Sequence, residues 1–73
     1  MIKIKLKMVM LEYSERVGKK LTYGALAEAT GVSKAAIESM GSRGQYNASL
    51  DVIDKLCSFL GCSVQDLLEY REG

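Results

Sequence analysis

The chain has 73 residues, a formal net charge of +1 and a hydrophobic content of 48%. A chain of this length is expected to form one domain, residues 1–73, with a modest core, because only about 60% of the unfolded surface is buried at this size. No apolar run approaches the roughly 20 residues of a membrane-spanning helix, and no segment resembles a signal peptide. There is no His, and Cys57 and Cys62 lack the spacing of a zinc site or a disulfide framework, so we expect no metal, no cofactor and a cytoplasmic location.

The charged residues are unevenly distributed along the chain. Residues 1–47 carry eight basic and four acidic side chains, whereas residues 48–73 carry two basic and five acidic ones. Such asymmetry is typical of a domain with one side facing a polyanion, and it is equally compatible with a dipolar surface that binds nothing.

The N-terminal segment Met1–Leu6 alternates apolar residues with lysines, which is the pattern of a half-buried β-strand. A lone strand is not stable, and the best partner lies at Leu68–Arg71, near the other terminus. The sequence leaves open whether the two segments pair within one chain or across a dimer.

Helical spacing of apolar residues predicts a first helix over Lys7–Val17, with Val17 in its buried stripe and Gly18 at its end. Lys19 and Lys20 follow in a loop. Two lysines just before the next helix are placed either to meet phosphate groups or simply to be solvated.

Two short helices joined by a glycine are predicted in the middle of the chain. The first covers Thr22–Thr30, with Thr22 as its N-cap and Gly31 closing it. The second starts from Ser33. Its predicted apolar stripe is Val32, Ala36, Ile37 and Met40, and the opposite side carries Lys34, Ala35, Glu38 and Ser39. A helix-turn-helix unit that places its second helix in a DNA major groove has this arrangement, although two ordinary helices of a small bundle would give the same pattern.

A polar loop is predicted over Gly41–Ala48, with Gly41 ending the preceding helix. The hydrogen-bonding side chains in this loop either contact a phosphate backbone or are merely solvated. They are Ser42, Arg43, Gln45, Tyr46 and Asn47.

Two further helices are predicted in the C-terminal third. Ser49 caps the fourth, which ends at Gly61; Ser63 caps the fifth, where Asp66 completes a capping box. The residues predicted to face inward from these helices are Leu50, Ile53, Leu56, Cys57, Leu60, Val64, Leu67 and Leu68.

Taken together, these elements resemble the Cro-type, or Xre family, helix-turn-helix regulators of bacteria and phages. The resemblance spans nearly the whole chain, and it is carried by Leu21-Thr22, Leu26-Ala27-Glu28, Thr30-Gly31-Val32-Ser33, Ile37, Ser49-Leu50, Lys55-Leu56, Leu60-Gly61-Cys62-Ser63 and Asp66-Leu67-Leu68. It implies a mainly all-α, lambda-repressor-like domain of five helices, with a short N-terminal strand pairing with the C-terminal segment.

The resemblance also implies roles for individual residues. Tyr23 stands where the family often has a Gln that holds the recognition helix and a phosphate. The segment 33–35 matches the start of the recognition helix, and Ser39 lies one turn further on. Glu38 can accept a hydrogen bond from cytosine N4, although it repels phosphate. The candidate DNA-contacting residues are Lys19, Thr22, Tyr23, Ser33, Lys34, Ala35, Glu38, Ser39, Ser42, Arg43 and Tyr46.

The sequence therefore predicts a small transcriptional regulator that binds double-stranded DNA sequence-specifically, with a recognition helix at about Ser33–Met40 in the major groove. A homodimer, formed through the terminal strands, is the expected state. The alternative is a helix-turn-helix-derived module that binds protein, motivated by Glu38 and the alanine-rich recognition helix. An enzyme is not predicted, because the chain has no His and no Gly-rich phosphate loop.

Overall fold

The computed structural model of the protein describes residues 1–43 and 47–72, without the side chain of Arg43. Within these ranges the chain forms five helices and a two-stranded antiparallel sheet, as predicted. The elements are β1 Ile2–Ile4, α1 Leu6–Val17, α2 Tyr23–Thr30, α3 Lys34–Arg43, α4 Leu50–Leu60, α5 Val64–Leu67 and β2 Leu68–Tyr70.

The terminal strands pair within the chain, which decides between the two pairings that the sequence left open. Ile4 lies opposite Leu68 and Ile2 opposite Tyr70. A hydrogen bond of 2.7 Å from the backbone N–H of Lys5 to the carbonyl of Leu67 extends the pairing toward α1. The sheet therefore ties the start of α1 to the end of α5.

The residues predicted to cap the helices lie at the ends of those helices in the structure. The hydroxyl of Ser49 accepts a hydrogen bond from the N–H of Val52, and Ser63 and Asp66 form a reciprocal capping box. The backbone N–H and hydroxyl of Ser63 lower the pKa of the Asp66 carboxyl, because both stabilise its ionised form. Three helices close on a glycine with positive φ, as only glycine does readily: Gly18 (73°), Gly31 (77°) and Gly61 (66°).

The core is entirely apolar within the described residues, and all helices contribute to it. The predicted inner stripe of α3 is confirmed: Val32, Ala36, Ile37 and Met40 are buried, with Ile37 and Met40 fully enclosed. Since the inner side of α3 is anchored in the core, its other side is fixed toward solvent.

Three residues predicted to be buried are exposed, and these predictions are wrong. Val17 is 50% exposed, Leu50 85% and Val64 53%. Each lies in the first or last turn of its helix, beyond the part that packs on the core. The helical spacing of apolar residues continues to the last residue of a helix. The helix itself packs on the core only where other elements lie against it.

The predicted end of α3 at Gly41 is also wrong, because the helix continues to Arg43. A glycine inside a helix costs roughly 1 kcal/mol relative to alanine but does not by itself end it. The rest of the predicted loop up to Tyr46 lies outside the described residues.

Candidate nucleic-acid interface

The start of α2 is built around Thr22, whose side chain accepts a hydrogen bond of 3.1 Å from the N–H of Ala25. Thr22 is exposed and acts as the predicted N-cap. The first amide groups of a helix lack intrahelical acceptors, and together with the helix dipole they favour an anion at this end.

Tyr23, the first residue of α2, packs against the last turns of α3. A Cβ atom added at Gly41 would lie 2.6 Å from Cζ and 2.8 Å from Cε1 of the Tyr23 ring, closer than real side-chain contacts allow. Gly41 therefore permits this close approach. This role of Gly41 is not visible in the sequence, because a glycine late in a helical pattern predicts the end of the helix.

The turn between α2 and α3 is held by local hydrogen bonds. Thr30 donates through its hydroxyl to the carbonyl of Leu26 at 2.7 Å, and the same oxygen accepts from the N–H of Val32 at 3.3 Å. The hydroxyl of Ser33 then accepts from the N–H of Ala36 at 3.2 Å. Ser33 is exposed, and through this hydrogen bond it caps the start of α3, as predicted.

The outer face of α3 carries two parallel rows of residues spaced by four. In the first row, the Lys34 ammonium lies 4.0 Å from a Glu38 carboxylate oxygen, and the Ser42 hydroxyl donates to the Glu38 carbonyl at 2.7 Å. In the second row Ala35 is exposed, whereas Ser39 is half-buried. Ser39 is therefore less accessible than its predicted place opposite the buried stripe suggests.

The Lys34–Glu38 pair is long and solvated on both sides. Exposed pairs of this kind on a helix contribute only about 0.3–0.5 kcal/mol, so water or a ligand can separate them. The ammonium of Lys34 is accessible, but its charge is partly balanced by its neighbour.

Lys19 is exposed in the loop between α1 and α2, as is Lys20. Both line one groove with Thr22 and Tyr23, so the structure brings these four residues together. Lys7, which the sequence assigned no binding role, reaches the same groove from α1. Tyr23, through its contact with Gly41, connects this group to the end of α3.

Two predicted site residues remain without a side-chain position. Arg43 is the last residue of α3, and Tyr46 lies outside the described residues. Their predicted phosphate contacts stay predictions.

The two cysteines lie in and just after α4, and neither helix of the α2–α3 unit contains one. Both are free and half-buried. Burial, with the neighbouring Cys57, raises the pKa of the Cys62 thiol to about 11 and keeps it protonated at neutral pH.

In the part of the chain that the structure describes, no cluster of three or more His, Cys, Asp or Glu residues could hold a metal ion. Across the same residues, no helix is long and apolar enough to cross a membrane.

The family model of the Cro/C1-type HTH DNA-binding domain matches residues 16–73. No curated protein matches the chain significantly. The matched region starts with the last two residues of α1 and covers α2 to β2, including the whole helix-turn-helix unit. Domains of this kind are DNA-binding and typically not enzymes. The helix-turn-helix geometry and this match lead to one conclusion: the chain belongs to the family of Cro/C1-type helix-turn-helix DNA-binding domains.

Proposed function

We propose that this protein is a small bacterial or phage transcriptional regulator that binds double-stranded DNA sequence-specifically, with α3 in the major groove. One observation carries the proposal. The inner stripe of α3 is locked into the core, while Lys34, Ala35 and Glu38 in its first turns are open to solvent directly after the glycine turn. A helix presented in this way fits the width of the major groove.

Base contacts come from few side chains in this proposal. Lys34 suits the guanine acceptors O6 and N7, Ala35 suits the thymine methyl group, and Glu38 suits the cytosine amino group. Ser39 is half-buried and therefore contributes little to these base contacts. Separation of the Lys34–Glu38 pair on binding frees both groups for bases.

Backbone contacts position the domain. Lys19, the hydroxyl oxygens of Thr22 and Ser33, the phenol of Tyr23 and the hydroxyl of Ser42 lie on exposed or half-exposed surface near helix ends. Arg43 and Tyr46 join this set from the sequence alone. Contacts of this type fix orientation and supply most of the affinity without reading sequence.

We also propose a homodimer that works where the DNA lies, in the cytoplasm. Since β1 and β2 pair within the chain, a dimer formed through them uses the outer surface of the sheet. Ile2 and Tyr70 face each other across the strands and are both largely exposed, which makes them the apolar centre of that contact. Two subunits would read half-sites about one helical turn apart.

The proposal is tested by selecting bound duplexes from a random pool at two salt concentrations. We expect a motif with two-fold symmetry to be enriched, and affinity to fall steeply as salt rises, because each phosphate contact releases counterions. Sedimentation equilibrium of the complex checks the dimer.

One observation favours a different function strongly enough to name it. The paired charges of Lys34 and Glu38 leave the outer face of α3 close to neutral, which suits a protein partner better than a polyanion. A chain that binds no duplex even at low salt would be a protein-interaction module, and the regulator proposal would be wrong.

A further inference from the structure

A groove runs between α1 and the segment that leads into α2. It has a volume of about 620 Å³, within the range of small-molecule sites. Its walls are formed by Met10 and Leu11 of α1, Leu21 of the loop, and Tyr23 at the start of α2. We call it the α1–α2 groove.

The hydroxyl groups of Ser14 and Thr22 in the groove both take part in local hydrogen bonds. The Ser14 hydroxyl donates to the Met10 carbonyl at 2.9 Å and accepts from the N–H of Leu21 at 2.8 Å. The Thr22 hydroxyl is engaged by Ala25. An apolar occupant would therefore bury aliphatic and aromatic surface without stranding the Ser14 hydroxyl, and satisfied polar groups are the condition for favourable burial.

The rim of the groove is positively charged. Lys7, Lys19 and Lys20 line it, and none of the residues lining it is acidic. Over the described residues, none of these three ammonium groups has a carboxylate within ion-pair distance, whereas Lys34 and Lys55 each have one. An apolar floor beneath unpaired ammonium groups is complementary to a molecule with an apolar body and an anionic head.

The groove is not simply a part of the matched family domain. Lys7, Met10, Leu11 and Ser14 precede residue 16, where the match begins. The α1 wall is thus contributed by a segment of this chain that the family model does not cover.

We propose that the α1–α2 groove binds a small amphiphilic carboxylate, of the medium-chain acyl or aromatic class, and that this ligand competes with DNA. The competition rests on the proposed function, in which Lys19, Thr22 and Tyr23 contact phosphates from the same groove. A carboxylate held by the lysines occupies the groups that would meet the backbone. DNA binding would then respond to a metabolite through the DNA-binding domain itself.

Binding is tested with the full chain and two probes. The fluorescent apolar anion 1-anilinonaphthalene-8-sulfonate is titrated first, and decanoate, below its micelle-forming concentration, then displaces it. Decanol, with the same apolar body and no charge, serves as the neutral comparison. We expect decanoate to displace the dye at least ten times more effectively than decanol. Equal displacement would show that the lysine rim does not contribute, and the proposal would fail.

A pair of matched variants locates the site. Leu11→Asp places a carboxylate in the groove at a position that is 63% exposed, so the fold should tolerate it. Leu50→Asp introduces the same charge at the exposed start of α4, away from the groove. We expect at least a tenfold loss of dye affinity in the first variant and less than a twofold change in the second, with circular dichroism confirming both folds. Equal losses would overturn the assignment to this groove.

The competition is measured by fluorescence anisotropy of a labelled duplex. Decanoate at ten times its own dissociation constant should raise the apparent Kd for DNA about tenfold, as simple competition requires. An unchanged Kd for the duplex at saturating decanoate would show that the ligand and DNA do not compete. A chain that binds the dye with the expected variant pattern but binds no duplex at low salt keeps the ligand site and refutes the proposed function.

Discussion

The outer face of α3 and the rim of the α1–α2 groove are both polar surfaces of the helix-turn-helix region, but they carry charge differently. On α3, Lys34 lies beside Glu38 in the first row, and the exposed residue of the second row is Ala35. On the rim, three lysines stand together without an acidic neighbour in the groove lining. The rim attracts any polyanion, whereas α3 presents few groups whose contacts depend on the base sequence.

This difference separates affinity from discrimination. Contacts to phosphates give salt-dependent binding of every sequence, and contacts to base edges give the preference for one sequence. A domain with a strongly basic rim and a sparse recognition face should bind DNA in general well and choose among sequences modestly. Substitutions in and around the two surfaces test that division.

Ile37→Ala should remove the support beneath the recognition face. Ile37 lies on the inner face of α3 and is fully buried. Deleting a buried side chain of this size costs about 2–5 kcal/mol of unfolding free energy, because burial is lost and a cavity remains. Urea unfolding followed by circular dichroism measures the loss.

Leu50→Ala is the control for that variant. Leu50 is of similar size but 85% exposed, so its truncation should change the unfolding free energy by less than about 0.5 kcal/mol. Comparable losses in the two variants would mean that the α3 stripe does not anchor the core.

Lys34→Ala should reduce discrimination. If Lys34 contacts guanine, its removal should weaken binding to the selected duplex by roughly 1–3 kcal/mol and leave binding to unrelated duplexes nearly unchanged. Lys55→Ala is the matched control, since Lys55 pairs with Asp51 across one turn of α4 as Lys34 does with Glu38. An unchanged affinity in a gel-shift titration would exclude Lys34 from the base contacts.

The double variant Lys19→Ala and Lys20→Ala should weaken the phosphate contacts made by the rim of the α1–α2 groove. Two lost phosphate contacts should lower the slope of log K against log salt by about 1.8, at roughly 0.9 per contact, and weaken all duplexes alike. Titrations at several salt concentrations, with selected and unrelated duplexes, measure both quantities. A change in the preference for the selected duplex would contradict the assignment of the rim to backbone contacts.

Much of the fold followed from local chemistry that is visible in the sequence. The caps at Thr22, Ser49 and Ser63 each depend on one hydroxyl and a neighbouring amide, and the strand alternation at the N-terminus needed only a second apolar strand. The α3 stripe was predictable because a helix between two buried neighbours keeps its spacing throughout. Leu50 and Val64 were misassigned because the end of packing is set by other elements, not by the helix itself.

The site was less predictable because its parts come from distant positions. The contact of Tyr23 with Gly41 joins residues eighteen apart, and only the crossing of two helices creates it. The groove requires Lys7 of α1 and Lys20 of the loop to meet at one rim. The sequence places Lys7 at the start of the first helix without a binding role, and it leaves Lys20 either to meet a phosphate group or to be solvated.

Glu38→Gln should change DNA binding only slightly, but it tests directly whether the outer face of α3 lies near the DNA backbone. The change removes the one negative charge from the outer face of α3 and releases Lys34 from its 4.0 Å pair. Loss of an exposed pair changes stability by less than about 0.5 kcal/mol, so unfolding should be nearly unaffected. Removing repulsion between one carboxylate and nearby phosphates, in a largely aqueous setting, should strengthen binding to unrelated duplexes by about 0.5–1 kcal/mol.

Asp51→Asn makes the same change in net charge on α4 and releases Lys55 in the same way. If both variants bind unrelated duplexes equally more tightly in anisotropy titrations at about 0.1 M salt, net charge alone explains the gain. A gain confined to Glu38→Gln would place that carboxylate near the DNA backbone, because the field of one charge is screened beyond about 10 Å at moderate salt.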